Sequence, residues 1–306
     1  ELSHEACLDR LLDRMRYREL RDEQRRARER GRCLGIGLAA FIEMNSPGPG
    51  FYGAAGVRIS AADGCTLRLE PSGTLTCITS TCDQGQGSET GIQQLLAEAL
   101  GLPLGDVRMV LGDTATMPVG GGTFASRGLA LGGEAALAAA EALRERLINL
   151  AAAMHRRDVG SLVLDAGAIR DVKTSEVVVP LAALAGVMHY QQHTLPSDVP
   201  ADWLQPAITV HETPKRPYLV ANGIQASFVE VDPDTGFIRL LGHWVVEDCG
   251  RIINPLLVDG QVHGGVAQGL GQALYEQAVY DDNGQLLSGE LTDYAIPKST
   301  MMPWVE

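Results

Sequence analysis

The chain has 306 residues, 45% hydrophobic and 21% charged, which suits a globular protein with a large core. A formal net charge of −13 argues against nucleic acid as a partner, because a phosphate backbone calls for a basic surface. Six scattered cysteines show no C-x-x-C spacing for zinc or iron–sulfur clusters and fit a reducing, cytoplasmic compartment; no apolar run reaches the ~18 residues of a membrane span.

Residues 1–32 are charged and helix-prone, with ten arginines between Arg10 and Arg32 and an apolar stripe of Leu8, Leu11, Leu12, Met15 and Leu20. They read as a surface helix with a solvated arginine face. Residues 35–43 form a continuous apolar run, expected to be a buried strand, and a Pro/Gly loop follows at 45–50. Strands are expected near 55–60 and 74–81, with turns at Ala62-Asp63-Gly64 and Pro71-Ser72-Gly73. Next come a Gly/Gln turn, Asp83-Gln84-Gly85-Gln86-Gly87-Ser88, a helix at 92–100 closed by Gly101, and a strand at 107–111. A loop at 116–127 with Gly120-Gly121-Gly122 opens into the strongest helix signal, 133–155, rich in Ala, Leu, Glu and Arg.

Residues 158–218 are less regular, with a short strand at 175–179, a helix at 181–189 and a Pro-containing loop at 194–217. A hairpin follows, 224–231 and 237–248 around Asp232-Pro233-Asp234-Thr235-Gly236. A second Gly/Gln turn, Asp259-Gly260-Gln261, leads into a helix at 262–272. Its repeated small residues (Gly264, Gly265, Ala267, Gly269, Gly271) suggest that another backbone or a ligand lies close. A strand at 273–280 and a turn at Asp282-Asn283-Gly284 complete the pattern. Hairpins followed by helices point to an α+β fold of two lobes, 1–157 and 219–306, joined by an excursion at 158–218.

A Gly/Gln turn at a strand-to-helix junction offers bare backbone N–H groups, a neutral amide and a helix N-terminus. Those parts suit a large, polar, phosphate-bearing ligand, and two such turns suggest one extended ligand held from two sides. Taken alone, Gly85-x-Gly87 equally reads as a tight turn, and a dinucleotide fingerprint would want glycine where Thr90 stands. Ser126 equally reads as the N-cap of the long helix. Asp113 and Asp248 read as turn caps, and Cys82 and Cys249 as small buried residues. The seven histidines show no metal-binding spacing, so no metal ligand is assigned.

Several motifs occur together and in order: Thr81-Cys82-Asp83-Gln84-Gly85-Gln86-Gly87-Ser88-Glu89-Thr90, then Leu111-Gly112-Asp113-Thr114, then Gly122-Thr123-Phe124-Ala125-Ser126-Arg127, then the run from Val229-Glu230-Val231-Asp232 to Asp293-Tyr294-Ala295-Ile296-Pro297. In these stretches the chain resembles the molybdenum-binding large subunit of the xanthine dehydrogenase/aldehyde oxidase family. The resemblance implies the molybdopterin-binding fold of that family and a molybdopterin cofactor, in bacteria as the cytosine dinucleotide. It implies cofactor contacts from Gln84, Gly85 and Gln86, from Thr123, Phe124, Ala125 and Ser126, and from Gln261. It weakly implies that Leu38 approaches the substrate cavity.

The implied reaction is oxidative hydroxylation of an N-heterocycle or aldehyde with water as oxygen source. Iron–sulfur and FAD partner subunits or domains would take the electrons. The family's base glutamate belongs to a Gly-Val-Gly-Glu motif expected beyond Glu306, so no catalytic residue is assigned, and the chain is expected to be an internal piece of the large subunit or one part of a split subunit. The alternatives are a nucleotide-dependent oxidoreductase domain and a cofactor-free assembly module related to the family.

Overall fold

A computed structural model describes residues 2–54, 56, 58–302 and 304–306. In chain order its helices and strands are α1 (His4–Arg14), α2 (Tyr17–Glu29), β1 (Cys33–Asn45), α3 (Pro49–Ala54), β2 (Asp63–Leu69), β3 (Leu75–Thr79), α4 (Ser88–Leu100), β4 (Val107–Val110), α5 (Gly133–His155), β5 (Leu162–Asp165), β6 (Ala168–Asp171), β7 (Val177–Pro180), α6 (Leu181–Tyr190), β8 (Ala207–Glu212), β9 (Leu219–Val231), β10 (Ile238–Asp248) and α7 (Pro255–Leu274). The architecture is α+β, as expected.

Contacts group the chain into two compact units, one of Met44–Leu219 and one of Glu1–Glu43 with Val220–Glu306. This cuts across the linear order of lobes expected from the sequence. Strand pairing is the reason: β1 joins β9 and β10 in one sheet, and β8 pairs with β2. Residues 158–218 are therefore part of one unit's framework.

In Met44–Leu219 a four-stranded sheet runs β4-β3-β2-β8. Cys65, Leu67 and Leu69 alternate to one face of β2 and meet Leu75 and Cys77 of β3 in the core. β3 and β4 are parallel, and α4 makes the crossover between them. Helix α5 lies in the same core with Ala135, Ala136, Ala139, Ala140, Leu143, Leu147 and Leu150, a helical repeat of buried positions. Each buried leucine there contributes about 1.5–3 kcal/mol. The β5-β6-β7 sheet adds Leu164, Ile169 and Val179 to that core.

The other unit is thinner. Cys7 and Leu11 of α1, with Met15 just past its end, pack on Ile224 and Ala226 of β9. The β9–β10 turn is held by Asp232, whose Oδ1 accepts the N–H of Asp234 (2.9 Å) and of Thr235 (3.0 Å). The last residues return to β10, with Val245 N donating to Glu306 O at 2.8 Å.

Several elements depart from the sequence expectation. The expected helix at 1–32 is two helices, broken where Arg16 turns left-handed at φ 53°. Strand β2 lies where Asp63-Gly64 suggested a turn. The expected strand near 55–60 falls partly on Ala55 and Val57, which lie outside the described residues, and 58–60 carries no strand. Helix α7 starts at Pro255, before the second Gly/Gln turn, and in place of a strand at 273–280 only Tyr280 makes a bridge, to Leu286.

Candidate cofactor-binding site

The first turn is a closed structure. Asp83 Oδ1 accepts Gly85 N at 2.8 Å and Oδ2 accepts Glu89 N at 2.9 Å, so this carboxylate caps α4. Burial pushes the Asp83 carboxyl up, but the N–H groups of Glu89, Gly85 and Gly87 outweigh it and hold it below the ordinary carboxylate value. Gln86 turns its amide inward: Oε1 accepts Gln84 N (2.6 Å), while Nε2 donates to Cys82 O (3.3 Å) and Ser88 Oγ (3.0 Å). The N–H groups of Gln84 and Gly85 are thus already paired. The Gln84 side chain is exposed, and Gly85, at φ 103°, has open space where a Cβ would stand.

The second loop is tied to the first by Thr123. Its hydroxyl donates to Cys82 O (2.7 Å) and accepts from Cys82 N (2.8 Å). The N–H groups of Thr123, Phe124, Ala125 and Ser126 have no acceptor among the described residues. Ala125 and Ser126 are exposed and stand in succession in the left-handed region, at φ 47° and 51°. For non-glycine residues that conformation costs on the order of 1–3 kcal/mol each and persists only where the surroundings impose it. Ser46 N donates to Ala125 O at 3.1 Å, and its own Oγ is buried without a partner among the described residues.

The imposing structure is a pair that the sequence reading did not single out. Arg127 and Asp63 are both fully buried, with Nη2 to Oδ2 at 2.8 Å. Asp63 Oδ1 also accepts from Ser80 Oγ (2.9 Å) and Gly121 N (3.1 Å). The only local sign of this packing is Gly120-Gly121: a Cβ at 120 would collide with Ser80 and Asp63, and one at 121 with Arg127 and Ser60 O. Ser126 does not cap the long helix, because a π turn at Gly128–Gly132 separates it from α5.

Gln261 belongs to the other unit and is exposed on α7. Asn254 Oδ1 accepts Leu257 N at 3.2 Å and Pro255 occupies the first turn, which places Asp259-Gly260-Gln261 inside the helix. No atom lies within 4 Å of a Cβ built on Gly260, Gly264, Gly265 or Gly269, so the close approach expected there is not made among the described residues. Gly271 is buried, against Glu276 and Pro297.

The remaining expectations resolve simply. Asp113 Oδ1 accepts Ala115 N (3.0 Å) and Asp248 Oδ1 accepts Gly250 N (3.1 Å), so each caps a turn. Cys82 is half-buried, but Cys249 is exposed, against the reading of a buried residue. Among the described residues no His, Cys, Asp and Glu cluster suits a metal ion, and no helix is long and apolar enough to cross a membrane. Leu38, on β1, is exposed.

Comparison with known proteins gives this arrangement its context. The model of the molybdopterin cofactor-binding domain family matches residues 10–303. The chain is 32% identical over 299 residues to the large subunit of nicotine 6-hydroxylase from Paenarthrobacter nicotinovorans, covering 97% of this chain and 36% of that subunit. It is 28% identical over 310 residues to the carbon monoxide dehydrogenase large chain of Afipia carboxidovorans, covering 98% of this chain and 37% of that one. The crystal structure of quinoline 2-oxidoreductase from Pseudomonas putida 86 superposes with a TM-score of 0.89 at 32% identity, over 100% of this chain and 38% of that one. The chain thus spans little more than a third of the length of these relatives. The matched family favours a molybdopterin-binding chain over a nucleotide-dependent oxidoreductase domain. The chain therefore belongs to the molybdopterin cofactor-binding domain family.

Proposed function

We propose that this chain supplies part of the cradle for a molybdenum cofactor in an enzyme that hydroxylates an N-heterocycle or aldehyde. The observation that carries the proposal is the second loop: four successive N–H groups, Thr123 to Ser126, without acceptors among the described residues, fixed to the first turn through Cys82. Phosphates and a pterin ring are recognised by such neutral donors. The donor set therefore fits the group. The buried, unpartnered Ser46 Oγ lies in a residue bonded to the same loop.

In this reading Phe124, Ala125 and Ser126 present main-chain donors, and Thr123 spends its hydroxyl on holding the two loops together. Gln84 and Gly85 offer an exposed amide and an open approach for a ligand. Gln86 braces the turn with its amide, so its contact with the cofactor is through the loop it shapes or through the lone pair left on Oε1. Gln261, exposed on α7, is the remaining residue proposed for cofactor contact. When bound, the cofactor supplies the redox centre for water-dependent hydroxylation; binding and orienting it is the task of the residues named here. The cytosine dinucleotide form, iron–sulfur and FAD partners and a cytoplasmic setting complete the proposal, together with a base glutamate on polypeptide outside this chain.

The test is elemental and chemical analysis of the full-length subunit purified with its natural partners. Stoichiometric molybdenum, a fluorescent pterin after oxidation and cytidine monophosphate after hydrolysis are expected. An active preparation with neither molybdenum nor pterin would defeat the reading.

A further inference from the structure

The guanidinium of Arg127 has all five of its N–H donors committed in the interior. Nε and Nη2 donate to Asp63 Oδ2 (3.1 and 2.8 Å), Nη1 to Tyr52 Oη (3.1 Å) and Ser60 O (2.9 Å), and Nη2 also to Ala62 O (3.2 Å). Its plane lies near two aromatic rings, 5.2 Å from the Phe124 centroid and 5.7 Å from that of Tyr52. The residues just before it are Ala125 and Ser126, the two left-handed positions of the loop, and Arg127 N closes the loop on Phe124 O at 3.1 Å. The loop is therefore fixed at Arg127 by its own side chain, and at its other end Gly121 N donates to the same Asp63 carboxylate at 3.1 Å.

We propose that Arg127, anchored by Asp63, is the positioning residue of the cofactor loop. It holds Ala125 and Ser126 left-handed and so keeps the run of unpaired N–H groups in place for a ligand. Arg127 is fully buried and acts through the loop, without touching the ligand itself. Lysine cannot replace it, because a point charge supplies neither the planar fork nor the stacking. The inference rests on the reading that this loop binds the molybdenum cofactor.

The experiment uses the full-length subunit in its natural assembly. It reads molybdenum and pterin content after purification, the rate of pterin loss on dilution, and the melting temperature of each variant. Arg127→Lys keeps the charge and is expected to lose cofactor about tenfold faster than wild type, the size of effect seen for outer-shell partners of bound groups. Adding Ala125→Gly to that variant is expected to recover part of the retention, because glycine adopts φ near 50° without strain. A purely structural role predicts the opposite, since the extra glycine only loosens the chain. Should Arg127→Lys fail to fold, Tyr52→Phe removes a single acceptor and is expected to quicken loss about twofold, with a fall in melting temperature from the buried N–H left unpaired. Retention equal to wild type in Arg127→Lys, or in Tyr52→Phe where the former does not fold, overturns the proposal. So does a fall in retention on adding Ala125→Gly. A wild-type assembly without molybdenum or pterin defeats instead the cofactor reading beneath it.

Discussion

The two regions that carry the proposed ligand contacts are built in different ways. Under the loops at 82–88 and 120–127 lie β2, β3 and α5, whose inward residues are fully buried; Thr123 ties the two loops together, while Gln86 braces the first and Arg127 anchors the second. Helix α7 buries only Val266 and Gly271, and leaves Gln261 exposed and Leu256 79% exposed. Its form is kept by its ends, the Asn254 cap at one and Gly271 packed on Glu276 at the other, with Tyr294 Oη donating to Glu276 Oε2 at 2.7 Å. The loops can hold strained backbone because their own core enforces it. The helix offers Gln261 on a surface that nothing in its own unit covers.

The largest expected effect tests that contrast directly. Leu143→Ala on α5 should lower the unfolding free energy of the intact subunit by about 2–5 kcal/mol, through lost burial and the cavity left behind. Leu256→Ala on α7 should change it by less than about 0.5 kcal/mol. Urea unfolding of both variants is the measurement, and a loss at Leu256 as large as that at Leu143 would mean that polypeptide beyond this chain packs α7, erasing the difference.

An intermediate effect belongs to Asp83. Asp83→Ala should cost about 1 kcal/mol, as for other lost helix caps. The carboxyl titrates below its unfolded value of about 3.9, so its contribution is complete above that pH and disappears as pH falls through the lower folded value. Melting curves of wild type and variant should converge on acidification; a gap that persists under strong acid would show that the cap acts through something other than the carboxylate.

The smallest effect is expected at Glu230, in the unit of α7. Hydrogen bonds from Arg32 and then Arg239, with their charges, hold this half-buried carboxyl at about 2. Glu230→Gln should lower melting at pH 7 only slightly, because its arginine partners are largely solvent-exposed and such pairs are worth little. Its mark is a flatter loss of stability between about pH 4.5 and 2, where wild type protonates Glu230. Parallel acid profiles would refute that assignment.

How far the sequence could be read follows from how local each signal is. Helix α5 and the β9–β10 hairpin were legible because composition, periodicity and the Asp232 turn all lie within the segment itself. Strand β2 was hidden because Asp63-Gly64 has turn chemistry, and what makes Asp63 a buried residue is Arg127, 64 positions later. The start of α7 was missed although Asn254-Pro255 is a capping signal; the glycines downstream drew the boundary to themselves. At the candidate site, the motif residues of the second loop stand in the sequence, but the reason its N–H groups lack acceptors among the described residues does not. That reason is a backbone conformation set by long-range packing. The first turn taught the reverse: its supposedly bare N–H groups at Gln84 and Gly85 are satisfied by its own Gln86 and Asp83.

The most direct test of the account is a density map of the full-length subunit in its natural assembly. It should place a pterin nucleotide against the main-chain N–H groups of Phe124, Ala125 and Ser126, beside Gln84 and Gly85. A map in which those groups contact only protein or water would contradict it.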